Sequence, residues 1–173
     1  MPDDLPPQAL TANLAVHPSP MVPGIPSFVF SVPKGWVIDE APAALCVVRH
    51  PEADATGFWV NALLSHSKVA RTVDFEAAAK ATWASQKTST PSARDNGERL
   101  VRFGSRVVYT RGVELDAPDG RPLAQLQAMF FAPVTEAGKV VDFFQIVGTC
   151  PRDEALNDNV KAFMHIVASF RFV

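Results

Sequence analysis

The sequence predicts an α+β sandwich, a mostly antiparallel sheet of six or seven strands with helices on both faces. Three observations carry this. Strand-like text comes in two runs, each followed by one helical stripe, an order that gives layered α+β folds. The later strands are joined by short turns at Pro118-Asp119-Gly120 and Thr135–Gly138, which allow only antiparallel pairing. The middle strands are apolar on both sides, so both faces of the sheet need a cover.

The elements follow in order. Residues 1–21 form a Pro-rich extension and residues 22–173 the domain. Seven of the fifteen prolines fall in the first 26 residues, where they fix φ and remove donors. Ser27–Val32 alternates as a first strand. Pro33-Lys34-Gly35 turns the chain, and Trp36 closes one end of the core. Ala44–Arg49 and Phe58–Ser65 are the next strands. In the latter, Phe58, Val60, Ala62 and Leu64 face one way and Trp59, Asn61 and Leu63 the other.

Asp74 is placed to cap a helix running to about Gln86, whose stripe is Phe75, Ala78, Ala79, Thr82 and Trp83. Lys87–Gly97 reads as a loop. Then come strands at Arg99–Phe103, Arg106–Leu115, Pro122–Val134 and Lys139–Thr149. A second helix opens at Pro151, a residue suited to the first helical position, and ends near Ser169. Phe170–Phe172 adds a terminal stub. With four-residue loops at both turns, Val108, Met129 and Phe144 share one face and Val107, Phe130 and Phe143 the other.

Composition limits the function classes. A hydrophobic fraction of 47% and a charged fraction of 20% argue for a globular core. The net charge of −2 and the lack of a basic stripe argue against nucleic acid. No apolar run is long enough to span a membrane. The N-terminus has neither a signal-peptide pattern nor a lipobox cysteine, so the chain as written is expected in the cytoplasm, with peripheral envelope association as the variant. Cys46 and Cys150 are too sparse for a disulfide framework.

Catalytic motifs are missing. The four histidines are scattered, without metal-ligand spacing, and no glycine pattern cradles a phosphate. Phe103-Gly104-Ser105-Arg106 lacks the second glycine of a nucleophile elbow, which leaves a small hydrolase as the remote reading. No catalytic residue, cofactor or metal is expected. One constellation stands out. Asn61, Tyr109, Arg111, Gln125, Gln127 and Gln145 are polar residues inside apolar strands. With Trp36 they form a candidate binding surface. The plainer reading is that they satisfy one another or sit at exposed ends of the sheet.

Gly24-Ile25-Pro26, then Phe28 to Trp36 with its Pro-x-Gly-Trp turn, resembles the opening of Mog1/PsbP-like domains. Ile166–Phe172 is similar to the end of the last helix in that superfamily. Within it, the Pro-rich lead most resembles the actinobacterial LpqN/LpqT family. The resemblance covers residues 21–173. It implies an antiparallel sheet with helices on both faces and a non-enzymatic accessory or scaffold role, binding a protein partner in cell-envelope biogenesis. It supplies no catalytic residues. The competing reading is a carrier or secretion chaperone that holds an apolar ligand or segment in a groove. Residues 10–26, carrying Leu10, Leu14, Val16, Met21 and Val22, are expected to pack across the domain beside Trp36 or against another subunit of a homo-oligomer.

Overall fold

Alternating apolar residues and tight turns lay down most of the chain as strands. The computed structural model describes residues 17–19, 22–134 and 138–173. Its elements are β1 (Phe28–Val29), β2 (Val37–Asp39), β3 (Cys46–Arg49), β4 (Asn61–Ala70), α1 (Phe75–Ser89), β5 (Arg94–Phe103), β6 (Arg106–Asp116), β7 (Pro122–Phe131), β8 (Val140–Pro151), α2 (Leu156–Ser169) and β9 (Arg171–Phe172). Strands β2–β8 form one antiparallel sheet in the order β2-β3-β4-β8-β7-β6-β5. β1 and β9 pair with each other as a small second sheet. No helix among the described residues is long and apolar enough to cross a membrane.

One face of the large sheet carries α2 and the small sheet. Its core holds Val48, Ala62, Leu64, Val108, Phe130, Phe144 and Ile146 from the strands, with Phe163, Ile166 and Val167 from α2. Phe28, Phe170 and Phe172 pack their rings around Phe144, with centroids 5.3–5.7 Å from it. Trp36 reaches this face too, edge-on to Phe163 at 6.1 Å. α2 can come this close because β8 has glycine at the crossing. A Cβ on Gly148 would stand 2.3 Å from a ring carbon of Phe163.

The other face carries α1. The Asp74 carboxylate accepts the Ala77 N–H at 3.1 Å and starts the helix. Ala78 and Ala79 bury against Tyr109, Met129 and Phe143, and Phe75 stacks edge-on to Phe131 at 5.1 Å.

Several expectations are corrected. Both hairpin registers are shifted by one residue: the first connection holds five residues rather than four, and in the second hairpin Phe143 pairs with Phe131 rather than Phe130. Asp116 pairs with Pro122, and the Ala117 N–H donates to the Arg121 carbonyl across the turn. Val108 therefore shares a face with Phe130 and Phe144, while Tyr109 lies opposite Met129 and Gln145. Only two residues of Ser27–Val32 pair, and Val37–Asp39 is an additional strand. β4 starts at Asn61 rather than Phe58 and continues to Ala70 as the partner of β8.

The expected loop 87–97 is shortened from both ends. α1 runs to Ser89, and β5 starts at Arg94 through an irregularity between Asp95 and Glu98. Pro151 does not open the second helix. It ends β8 opposite Leu123, and α2 begins at Leu156. The N-terminal extension lies outside the described residues except for His17–Ser19, as do residues 135–137 of the last hairpin connection.

Candidate functional site

Strand parity decides which candidate residues meet. On β6, β7, β8 and β4, odd-numbered residues face α1 and even-numbered residues face α2. Asn61, Tyr109, Arg111, Gln125, Gln127 and Gln145 are all odd and share the α1 face. Trp36 lies on the other face, against Phe163 and His50. It does not join the polar group.

Four of the six are tied together beneath α1. Arg111 is only 3% exposed. It pairs with Asp95 and Glu98 of β5 and donates to the Tyr109 hydroxyl at 2.6 Å. That hydroxyl donates in turn to Glu98. The guanidinium lies 4.9 Å from the Trp83 ring centre, a cation–π distance. One turn further along, an amide ladder begins. Gln127 donates to Gln86 and to Gln125 (3.2 Å), Gln86 donates to Gln125 (2.9 Å), and Gln125 donates to Thr149 (3.3 Å). Apart from the Arg111 Nε, which is buried without a partner among the described residues, these groups satisfy one another, as buried polar side chains ordinarily do. Arg111 is paired with Gln127 in register rather than with Leu126.

Burial, followed by the hydrogen bond to Glu98, pushes the Tyr109 phenol up to about 12. The fold therefore holds the phenol proton above the pH near 10 at which an unfolded tyrosine releases it. Its contribution to stability is complete below pH 10 and is lost as pH rises to about 12. Tyr109 is the single tyrosine of the chain, so tyrosinate absorbance reads it alone. The expected titration midpoint is near 12 in the folded protein and near 10 in urea. Equal midpoints would contradict the buried cluster.

The other two candidates lie beyond the helix. Gln145 sits between Met129 and Ser65 in the ladder, and Asn61 donates to the Trp59 carbonyl at 2.7 Å. Here the α1 face is open. Within β4, Ala62 and Leu64 on the α2 side are 2% and 3% exposed, while Leu63 between them is 38% exposed. Val37 and Trp59 are exposed as well, and Val47 pairs with Leu63. Arg49 lies over Trp59 at 4.3 Å and binds Asp39 at 2.6 Å. Val37, Arg49, Trp59 and Leu63 were not singled out from the sequence. The only signal was the placing of Trp59, Asn61 and Leu63 on one side of their strand.

The remaining reactive groups are dispersed. Cys46 and Cys150 are free. They sit on β3 and β8 with β4 between, well beyond the ~7 Å Cα limit for a disulfide. Burial, then Asp153, pushes the Cys150 thiol up to about 12, away from thiolate chemistry. His66 and Asp142 are 2.7 Å apart, with Lys68 at 3.3 Å from the same carboxylate. No nucleophile among the described residues hydrogen-bonds this pair. Among the described residues no three His, Cys, Asp or Glu side chains converge on a metal-sized site.

No protein-family model and no curated protein matches the chain. Solved structures do. LpqN, involved in cell envelope biogenesis of Mycobacterium tuberculosis, superposes with a TM-score of 0.69 at 16% identity, covering 91% of this chain and 87% of LpqN. The Ran-binding protein Mog1p of Saccharomyces cerevisiae gives 0.54 at 12% identity, with 85% and 90% covered. The cyanobacterial PsbP of Synechocystis gives 0.54 at 17% identity, with 87% and 95% covered. At such identities the likeness speaks for the fold. The chain has the Mog1/PsbP-like fold, in a form similar to that of LpqN.

Proposed function

We propose that the protein is a non-enzymatic accessory module that binds a protein partner in cell-envelope biogenesis, and that the open half of the α1 face is where it binds. One observation carries the reading. Leu63 lies third from the sheet edge and is exposed, while its neighbours on the other face are buried. With Trp59 and Val37 it forms an apolar patch, and Arg49, Asp39 and Asn61 supply a polar rim. Interfaces concentrate affinity in such tryptophan and arginine anchors. Fold analogy adds support, because LpqN is involved in envelope biogenesis and Mog1p binds Ran.

A photo-crosslinking residue at position 63, with a control at Asp158 on exposed α2 surface, tests this in the native host. A defined partner should be captured from position 63 only. Trp59→Ala should weaken the purified complex about 30-fold, near 2 kcal/mol, while leaving the melting temperature unchanged. Equal capture from both positions would sink the reading. A second copy of this chain as the captured species would make the patch a homo-oligomer contact.

A carrier role is the second reading, and one observation favours it. A largely apolar cleft of about 790 Å³ opens where the β5–β6 turn, the end of β7 and the C-terminal strand meet. Small-molecule pockets span roughly 300–1,000 Å³.

A further inference from the structure

We infer that this cleft is a site for a long-chain carboxylate, with Arg106 receiving the head group and the aromatic lining receiving the chain. The inference rests on the carrier reading and adds the chemistry of the cargo.

Arg106 is the first residue of β6 and lines the cleft. Its guanidinium is packed among aromatic rings, 4.6 Å from the centre of Phe130, 5.5 Å from Phe170 and 5.6 Å from Phe103. Nη2 donates to the Val167 carbonyl at 2.7 Å. Nη1 is buried and has no hydrogen-bond partner among the described residues. Arg111, the buried guanidinium on the other face, has two carboxylates. The half-buried Arg106 has none among the described residues. Rings offset part of the cost of burying a cation, but a buried charge is ordinarily paired. Burial alone lowers the affinity of this guanidinium for its proton.

The lining repeats the asymmetry. Arg171 is the second cation on the wall, Ser105 offers a hydroxyl at the turn, and none of the described lining residues is an aspartate or glutamate. The rest is apolar, with Phe103, Phe131, Val134 and Phe172 among it. A cleft whose described lining is apolar and cationic suits a ligand with one anionic end and a hydrocarbon body. A carboxylate in the cleft supplies the counter-charge that Arg106 lacks among the described residues and forms charge-assisted bonds with the cationic wall, and the chain removes apolar wall from water. A neutral alcohol of equal length makes only the second contact. An alkylammonium of equal length meets two like charges.

Titration calorimetry of the full chain with decanoate, 1-decanol and decyltrimethylammonium separates the two claims. Decanoate should bind at least about tenfold more tightly than decanol, a difference of about 1.4 kcal/mol, and the ammonium should not bind. Arg106→Met should abolish the preference for decanoate while keeping decanol affinity. Arg106 also holds the Val167 carbonyl, so Ser105→Glu at the exposed turn provides a second variant. It should weaken decanoate and leave decanol unchanged. Equal affinities for decanoate and decanol would overturn the head-group assignment and leave the carrier reading standing. No binding by either would overturn both. A dimer that dissociates when Val107→Arg is introduced would make the cleft a subunit contact, and the inference would fall.

Discussion

Phe163→Ala is expected to cost about 3–5 kcal/mol of unfolding free energy, and in that background Gly148→Ala is expected to be nearly silent. Phe163 is fully buried at the crossing of α2 and β8. Its ring lies where a side chain at position 148 would be, with three ring carbons within 2.3–2.6 Å of the missing Cβ. In the parent protein Gly148→Ala must push α2 off the sheet. Overpacking of that kind costs about 1–3 kcal/mol. Once the ring is gone the methyl group enters the vacated space and its penalty disappears. Urea unfolding of the four proteins gives the coupling between the two sites. If Gly148→Ala costs the same with and without the ring, the helix is not seated on that glycine.

The second large effect concerns the buried ion cluster, and its sign pattern matters more than its size. Asp95→Asn with Glu98→Gln leaves Arg111 charged, 3% exposed and without an anion. Stranding a buried charge costs about 3–5 kcal/mol. Arg111→Met removes the buried charge instead. The carboxylates it leaves are 42% and 43% exposed and regain water, and the methionine still packs on Trp83. Its cost should stay below about 2 kcal/mol. Deleting the anions is thus expected to hurt more than deleting the cation. The reverse order in a denaturation series would mean that Arg111 is solvated and not held in a closed pocket.

Much of the architecture was legible because it rests on local chemistry. Asp74 announced its helix through capping, and Pro118-Asp119-Gly120 announced its hairpin. The alternation in FWVNALLS separated Ala62 and Leu64 from Leu63. Register was less accessible. A shift of one residue in each pairing changes which neighbours Val108 meets, and turn composition does not determine that register. Pro151 misled for a similar reason. Proline suits the last residue of a strand where pairing on one side has ended, here beyond Thr149 on the β4 side, as well as a helix start, and only the pairing with Leu123 separates the two.

The candidate site was half legible. Parity within a strand is local, so Tyr109, Arg111, Gln125 and Gln127 could be grouped as a polar set. That they face one another beneath Gln86 and Trp83 depends on where α1 docks. The open patch was hidden for the same reason. Leu63 and Leu64 are chemically identical, and only the absence of a helix over one of them makes it a surface residue. The surroundings of Arg106 were hidden because two of its three rings, Phe130 and Phe170, are distant along the chain, and only Phe103, its partner across the turn, is local.

The two outer strands of the large sheet bear on how a partner can attach. β2 is three residues long. β5 is longer but interrupted between Asp95 and Glu98, and its ten residues include Arg94, Asp95, Glu98, Arg99 and Arg102. Short, broken and heavily charged borders resist annealing to a stranger's backbone. The sheet is therefore a finished object that does not template growth, either into fibrils or by borrowing a peptide as an eighth strand. In the proposed binding role, recognition would fall to side chains on the broad faces or to the cleft at the end of the sheet, where sequence, rather than the common peptide backbone, decides what is held.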